Sequence, residues 1–106
     1  MEILERLDGL VNRFEEVSTL ITDAHVIADQ KRYVKLTKEY KDLGKLMEVR
    51  KEYIGCLQNV EDAKEMLAVE EDAETKAMLR EELSASEKRI PELEEEIKLL
   101  LVPADP

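Results

Sequence analysis

The chain has 106 residues, a net charge of −10 and no tryptophan, and 40% of its residues are charged. These values exclude a thick globular core, leave room for one small domain, and speak against a general nucleic-acid binder, which needs clustered Lys and Arg. Three glycines and three prolines, two of the latter among the last four residues, permit long uninterrupted helices.

The first helix is expected from about Glu2 to Ile21. Its apolar residues Ile3, Leu7, Leu10, Phe14, Val17 and Ile21 alternate spacings of four and three, the seam of a helix packed on other helices, and Leu4 and Val11 widen the stripe. Gly9 weakens this helix by up to about 1 kcal/mol relative to Ala. A break follows at residues 22–28, where Asp23-Ala24-His25-Val26-Ile27 does not continue the seam. Asp29 is the expected N-cap of the second helix, its carboxylate accepting an otherwise orphaned backbone N–H. From Gln30 the seam resumes as Tyr33, Leu36, Tyr40, Leu43, Met47, Ile54 and Leu57, joined by a second line of Leu46, Val49, Tyr53, Val60 and Leu67. One helix from about Gln30 to Val69 is the reading. At ~1.5 Å rise per residue it is on the order of 60 Å long, and Gly44 and Gly55 are candidate bends.

Glu70-Glu71-Asp72 reads as a second turn, with Asp72 capping a third helix and Glu74 suiting the positive end of its dipole. The third seam is Leu79, Leu83, Ser86, Ile90, Leu93, Ile97 and Leu100. Pro91 interrupts it and predicts a kink or a local break, because proline removes one backbone hydrogen bond and clashes with the preceding turn. Leu101-Val102-Pro103-Ala104-Asp105-Pro106 reads as a helix exit. One apolar stripe cannot bury itself, so the expected fold is all-α: an elongated three-helix antiparallel bundle, or coiled-coil-like hairpin, with a long central helix. The surplus length of that helix predicts that it protrudes or that the chain forms a homodimer along an exposed stripe.

The charge is unevenly placed. Residues 31–51 hold eight basic and three acidic side chains, whereas residues 70–101 hold eleven acidic and five basic. Lys31, Lys35, Lys38, Lys41 and Lys45 fall opposite the Tyr33–Leu36–Tyr40–Leu43 seam and form an outward basic stripe. Such a stripe either contacts ribosomal RNA or an acidic protein, or is a solvated helix face paired with the acidic third helix.

Residues that could carry chemistry are missing. With one histidine there is no paired-His metal motif, and His25 reads as a surface turn residue. Cys56 has no histidine near it in sequence and reads as a small residue on the second helix's seam; as a single cysteine it suits a reducing compartment. No Gly-rich phosphate loop occurs, so no cofactor is implied. Glu92, Glu94, Glu95 and Glu96 read as a solvated acidic face, Tyr33, Tyr40 and Tyr53 as core, and Met47, Met66 and Met78 as seam fillers. No apolar run approaches the roughly 20 residues of a membrane span, and no signal peptide is visible, so a cytoplasmic location is expected.

A family resemblance reaches further. Val26-Ile27-Ala28-Asp29-Gln30-Lys31-Arg32-Tyr33, followed by Leu36-Thr37-Lys38-Glu39-Tyr40, resembles the start of the second helix in bacterial peptide chain release factors of the release factor 1 type. Glu61-Asp62 with Ala63-Lys64-Glu65-Met66-Leu67, and the terminal Leu99-Leu100-Leu101-Val102-Pro103-Ala104-Asp105-Pro106, are similar to later segments of that family in the same order. Each piece alone is weakly specific; their order and spacing over nearly the whole chain are what identify the family, and they favour release factor 1 over release factor 2. Pro91 departs from the family's usual helix interior.

The resemblance implies that residues 1–102 are the helical N-terminal domain of a longer protein and that 103–106 begin the linker to codon-recognition and catalytic domains. That longer protein would read UAA and UAG stop codons on the ribosome and promote peptidyl-tRNA hydrolysis. The family's Gly-Gly-Gln loop and Pro-x-Thr codon-reading motif do not occur in these 106 residues, so this part is expected to be non-catalytic. The implied partners are the stalk-base region of the large ribosomal subunit and the GTPase release factor. The competing reading of the same residues is a stand-alone coiled-coil adaptor or scaffold.

Overall fold

In the computed structural model, which describes residues 2–101, the chain forms four helices and no strand among those residues: α1 (Glu2–Leu20), α2 (Ala24–Ala28), α3 (Gln30–Val69) and α4 (Ala73–Leu101). The expected exit at Pro103 and the domain limit at residue 102 lie outside the described residues.

The helix starts follow from carboxylate caps. Asp29 Oδ1 accepts from Arg32 N at 3.3 Å and opens α3. Asp72 Oδ2 accepts from both the backbone N (3.0 Å) and the hydroxyl (2.8 Å) of Thr75 at the start of α4. These bonds, the hydroxyl one first, hold the Asp72 carboxyl below its usual range. The break expected at residues 22–28 is itself partly helical. Asp23 Oδ1 accepts from His25 N at 2.8 Å and caps the five-residue α2, so His25 is an exposed helical residue rather than a turn residue. Val26, which follows no seam in the sequence, is buried by α2 against the core. A five-residue helix is too short for periodicity to announce it.

Both flanking helices run antiparallel to α3, packed through the buried seams, and cross-helix side-chain bonds mark the registers. Arg50 Nη2 donates to Asp8 Oδ1 at 2.8 Å, and Arg13 Nη2 to Glu39 Oε1 at 2.7 Å, which lays α1 along the first half of α3. Arg89 Nε donates to Glu52 Oε2 at 2.8 Å and Tyr53 Oη to Glu94 Oε2 at 2.9 Å, which lays α4 along the second half. The bundle is therefore staggered. Three helices overlap around residues 43–53 of α3, and there Leu7, Tyr53, Leu93 and Ile97 are completely buried. Each burial stabilises by roughly 2 kcal/mol before chain entropy is subtracted. The result is an elongated body of 63 × 28 × 20 Å whose length is that of α3.

Two lines of α3 carry its neighbours. Leu36, Tyr40, Leu43 and Met47 face α1, and Leu46, Val49, Tyr53, Cys56, Val60, Ala63 and Leu67 face α4, each line stepping by threes and fours. Four sequence-based expectations need correction. Tyr33 and Tyr40 are not core residues: they are 36% and 37% exposed, although Tyr40 stacks on Phe14 with ring centroids 5.2 Å apart. Met66 and Met78 are exposed rather than seam fillers, because they sit beside their helix lines and not on them. Glu94 is half-buried and accepts from Tyr53, whereas Glu95 pairs with Lys98 at 3.6 Å on the acidic face. The local break offered for Pro91 does not occur: α4 stays helical through it, with Pro91 and Glu87, whose carbonyl loses its partner, both exposed, and Ile90 and Leu93 packed toward the core on either side.

α3 is also unbroken through Gly44 and Gly55, both with negative φ. A Cβ at Gly55 would meet nothing within 4 Å. Gly55→Ala is therefore expected to stabilise the chain by up to about 1 kcal/mol, seen as a rise of a few degrees in thermal melting.

Candidate partner-binding surface

Among the described residues no group of three His, Cys, Asp or Glu side chains is placed to hold a metal ion, and no helix is long and apolar enough to cross a membrane. Cys56 is a free, half-buried thiol packed against the core. What the fold offers is surface, and the N-terminal end of α3, before the end of α4 reaches Leu43 and Leu46, is covered only by α1 and α2.

Arginines and lysines are used differently. Arg13, Arg50 and Arg89 join helices: Arg13 bridges Glu39 and Glu16, Arg50 reaches Asp8, and Arg89 reaches Glu52, with Glu92 at 3.2 Å and Glu96 at 3.7 Å. The planar guanidinium can hold two carboxylate bonds at once, which suits a link between elements. The hydrogen bond from Arg13 holds the Glu39 carboxyl below its usual range, and that from Arg89 does the same to Glu52.

Lys31, Lys35, Lys38, Lys41 and Lys45 are all exposed on α3, and none has a carboxylate within ion-pair distance among the described residues. Pairing with the acidic last helix, one sequence expectation for this stripe, does not occur. α4 covers the second half of α3 and reaches back along the first half only to Leu43 and Leu46, where its last residues Leu100 and Leu101 lie, and its carboxylates turn to Arg89, Lys98 and Tyr53. In a chain of net charge −10, one end of the longest helix thus presents five exposed lysines with no ion-pair partner among the described residues.

The structure brings Lys31, Lys38, Lys41 and Lys45 onto one side of α3 and sets Lys35 beside them. It adds neighbours that the sequence reading assigned elsewhere or passed over. Val34 is 60% exposed between the lysines, and Tyr33 and Ile27 are exposed nearby. Tyr33, Val34, Thr37, Lys38 and Lys41 wall a shallow groove of about 300 Å³ whose lining is apolar. The available signal was the placement of Val34, three residues after Lys31 and four before Lys38.

The profile of the PCRF domain matches residues 10–106. Over 104 residues, 98% of this chain, the sequence is 68% identical to peptide chain release factor 1 of Bacteroides thetaiotaomicron and 62% identical to that of Parabacteroides distasonis. Over 103 residues, 97% of the chain, it is 48% identical to peptide chain release factor 1 of Flavobacterium psychrophilum. The chain spans 28%, 28% and 29% of the length of these relatives. No solved structure matches the chain.

Proposed function

The chain belongs to the PCRF domain family, and on that premise we propose that it is the non-catalytic N-terminal domain of a class I translation release factor. The longer protein, in this reading, reads UAA and UAG stop codons on the ribosome in the cytoplasm and promotes hydrolysis of the peptidyl-tRNA ester. Residues 1–102 are the helical domain and 103–106 begin the linker to the codon-reading and catalytic parts. The domain contacts the stalk-base region of the large subunit and the GTPase release factor, and Lys31, Lys35, Lys38, Lys41 and Lys45 are the contact surface.

Sequence identity of 68% to a peptide chain release factor 1 over nearly the whole chain supports the assignment of the longer protein. The observation that carries the contact surface is the set of five exposed lysines without internal carboxylate partners. Lysines without an ion-pair partner also occur elsewhere among the described residues, at Lys51, Lys64, Lys76 and Lys88; what sets these five apart is their clustering within 15 residues on one side of α3.

The test uses the full-length factor. Lys35→Glu combined with Lys38→Glu should weaken its co-sedimentation with ribosomes about tenfold at low salt, and the difference should shrink as ionic strength rises. Equal binding of the parent and the double variant at low salt would remove the lysine face from the ribosome contact. Release activity at saturating factor is the control, since neither lysine is assigned a chemical step.

A further inference from the structure

The lysine face has the spacing of a helix seam. Lys31, Val34, Lys38, Lys41 and Lys45 are separated by three, four, three and four residues. That rhythm keeps side chains in one line along a helix, and α3 uses it twice already. One line carries α1 through Leu36 and Leu43, and one carries α4 through Leu46, Tyr53 and Ala63. The third line carries no helix of this chain among the described residues. It is straight over about 20 Å, the rise of four helical turns.

Its chemistry is mixed in a directional way. The lysines supply charge on both sides of Val34, while Val34, Tyr33 and Thr37, with the lysine stems, supply the apolar groove. A phosphate backbone is satisfied by the ammonium groups alone and leaves Val34 and the groove in water. A helix laid antiparallel or parallel to α3 would fill the groove with a leucine-sized side chain and place carboxylates against the lysines. We propose that this third line of α3 seats an acidic amphipathic helix of a partner protein, with an apolar residue on Val34 and carboxylates on Lys31, Lys38, Lys41 and Lys45. The inference rests on the reading of the lysine face as a partner contact and goes beyond it by fixing the partner as protein rather than RNA.

Fluorescence anisotropy on the 106-residue chain tests this with two labelled probes: a helical peptide with leucines at three-four spacing flanked by glutamates, and an RNA hairpin. The peptide should bind saturably and more tightly than the hairpin. Lys38→Glu with Lys41→Glu should weaken the peptide at least about tenfold, and Val34→Ser about fivefold, with Val34→Ser leaving hairpin binding unchanged. Val34 is too exposed for the serine to unfold α3, and circular dichroism of each variant verifies that. No saturable peptide binding, peptide binding indifferent to Val34→Ser, or a hairpin bound more tightly than the peptide would each overturn the proposal. A preference for the hairpin would still leave the lysine face as a ribosome contact, whereas unchanged ribosome co-sedimentation of the Lys35→Glu, Lys38→Glu factor would strike that earlier reading itself.

Discussion

Leu93→Asp should unfold the chain. Leu93 is fully buried where α1, α3 and α4 overlap, beside Leu7, Tyr53 and Ile97. Aspartate there loses about 2–3 kcal/mol of apolar burial and leaves a cavity. It also places a carboxyl group where no basic side chain is set to meet it, so the group either stays charged without a partner or is protonated at a further cost of a few kcal/mol. A domain of about 100 residues has on the order of 5–15 kcal/mol to lose, and an elongated one with a thin core lies toward the lower end. The helical circular dichroism signal should therefore be largely lost at room temperature. Leu99→Asp is the matched control: six residues on in the same helix, Leu99 is 73% exposed, and its variant should melt like the parent. A cooperative, unshifted melting curve for Leu93→Asp would mean that the seam has been placed on the wrong face of α4.

Leu93 and Ile97 were legible from spacing alone, and so were the bounds of α3 and the caps at Asp29 and Asp72. These are local signals: a three-four apolar rhythm over several turns, and a carboxylate just before it. Three other features depend on which helix lies beside which residue, and a rhythm does not say that. The seam Tyr33–Leu36–Tyr40–Leu43 continues on paper to the first turn of α3, yet Tyr33 is exposed because Asp29 lies close behind it and no helix covers that side. Val26 is buried because α2 turns one side of a single helical turn inward. Glu94 looked like its neighbours Glu92, Glu95 and Glu96, and only the register of α4 on α3, which also places Arg89 against Glu52, brings it to the Tyr53 hydroxyl. The lysines were legible as a stripe, but their lack of partners was not. That depended on the stagger, which lays the acidic α4 along the half of α3 that holds few of them. The family resemblance read from the residues agrees with the matching PCRF domain and with the release factor 1 relatives.

The stagger also predicts that Tyr53 is the side chain of α3 whose loss matters most and whose contribution changes with pH. Tyr53→Ala should destabilise by about 3–5 kcal/mol, the range for an aromatic removed from a packed core. Tyr53→Phe keeps the ring and removes the hydroxyl, which donates to Glu94 Oε2 at 2.9 Å; a hydrogen bond to a charged acceptor contributes about 1.5–3 kcal/mol. The hydroxyl must keep its proton to donate. Burial first, then the bond to the Glu94 carboxylate and its charge, push the Tyr53 hydroxyl up to about 12 from an ordinary value near 10. Folded and unfolded chains are equally protonated at this group below pH 10, so its stabilising effect is complete there. Above pH 10 the unfolded tyrosine releases its proton while the folded one retains it, so the unfolded state gains and stability falls with rising pH up to about 12. Phenylalanine has no such proton. Thermal melting of the parent and Tyr53→Phe, measured in parallel from pH 8 to pH 11.5, should therefore show the parent's advantage constant at first and then shrinking above pH 10. Lysine titration affects both proteins alike and cancels in the difference. Parallel curves across the whole range would show that the Tyr53 hydroxyl ionises in the folded chain as it does in the unfolded one, and the half-buried bond to Glu94 would not stand.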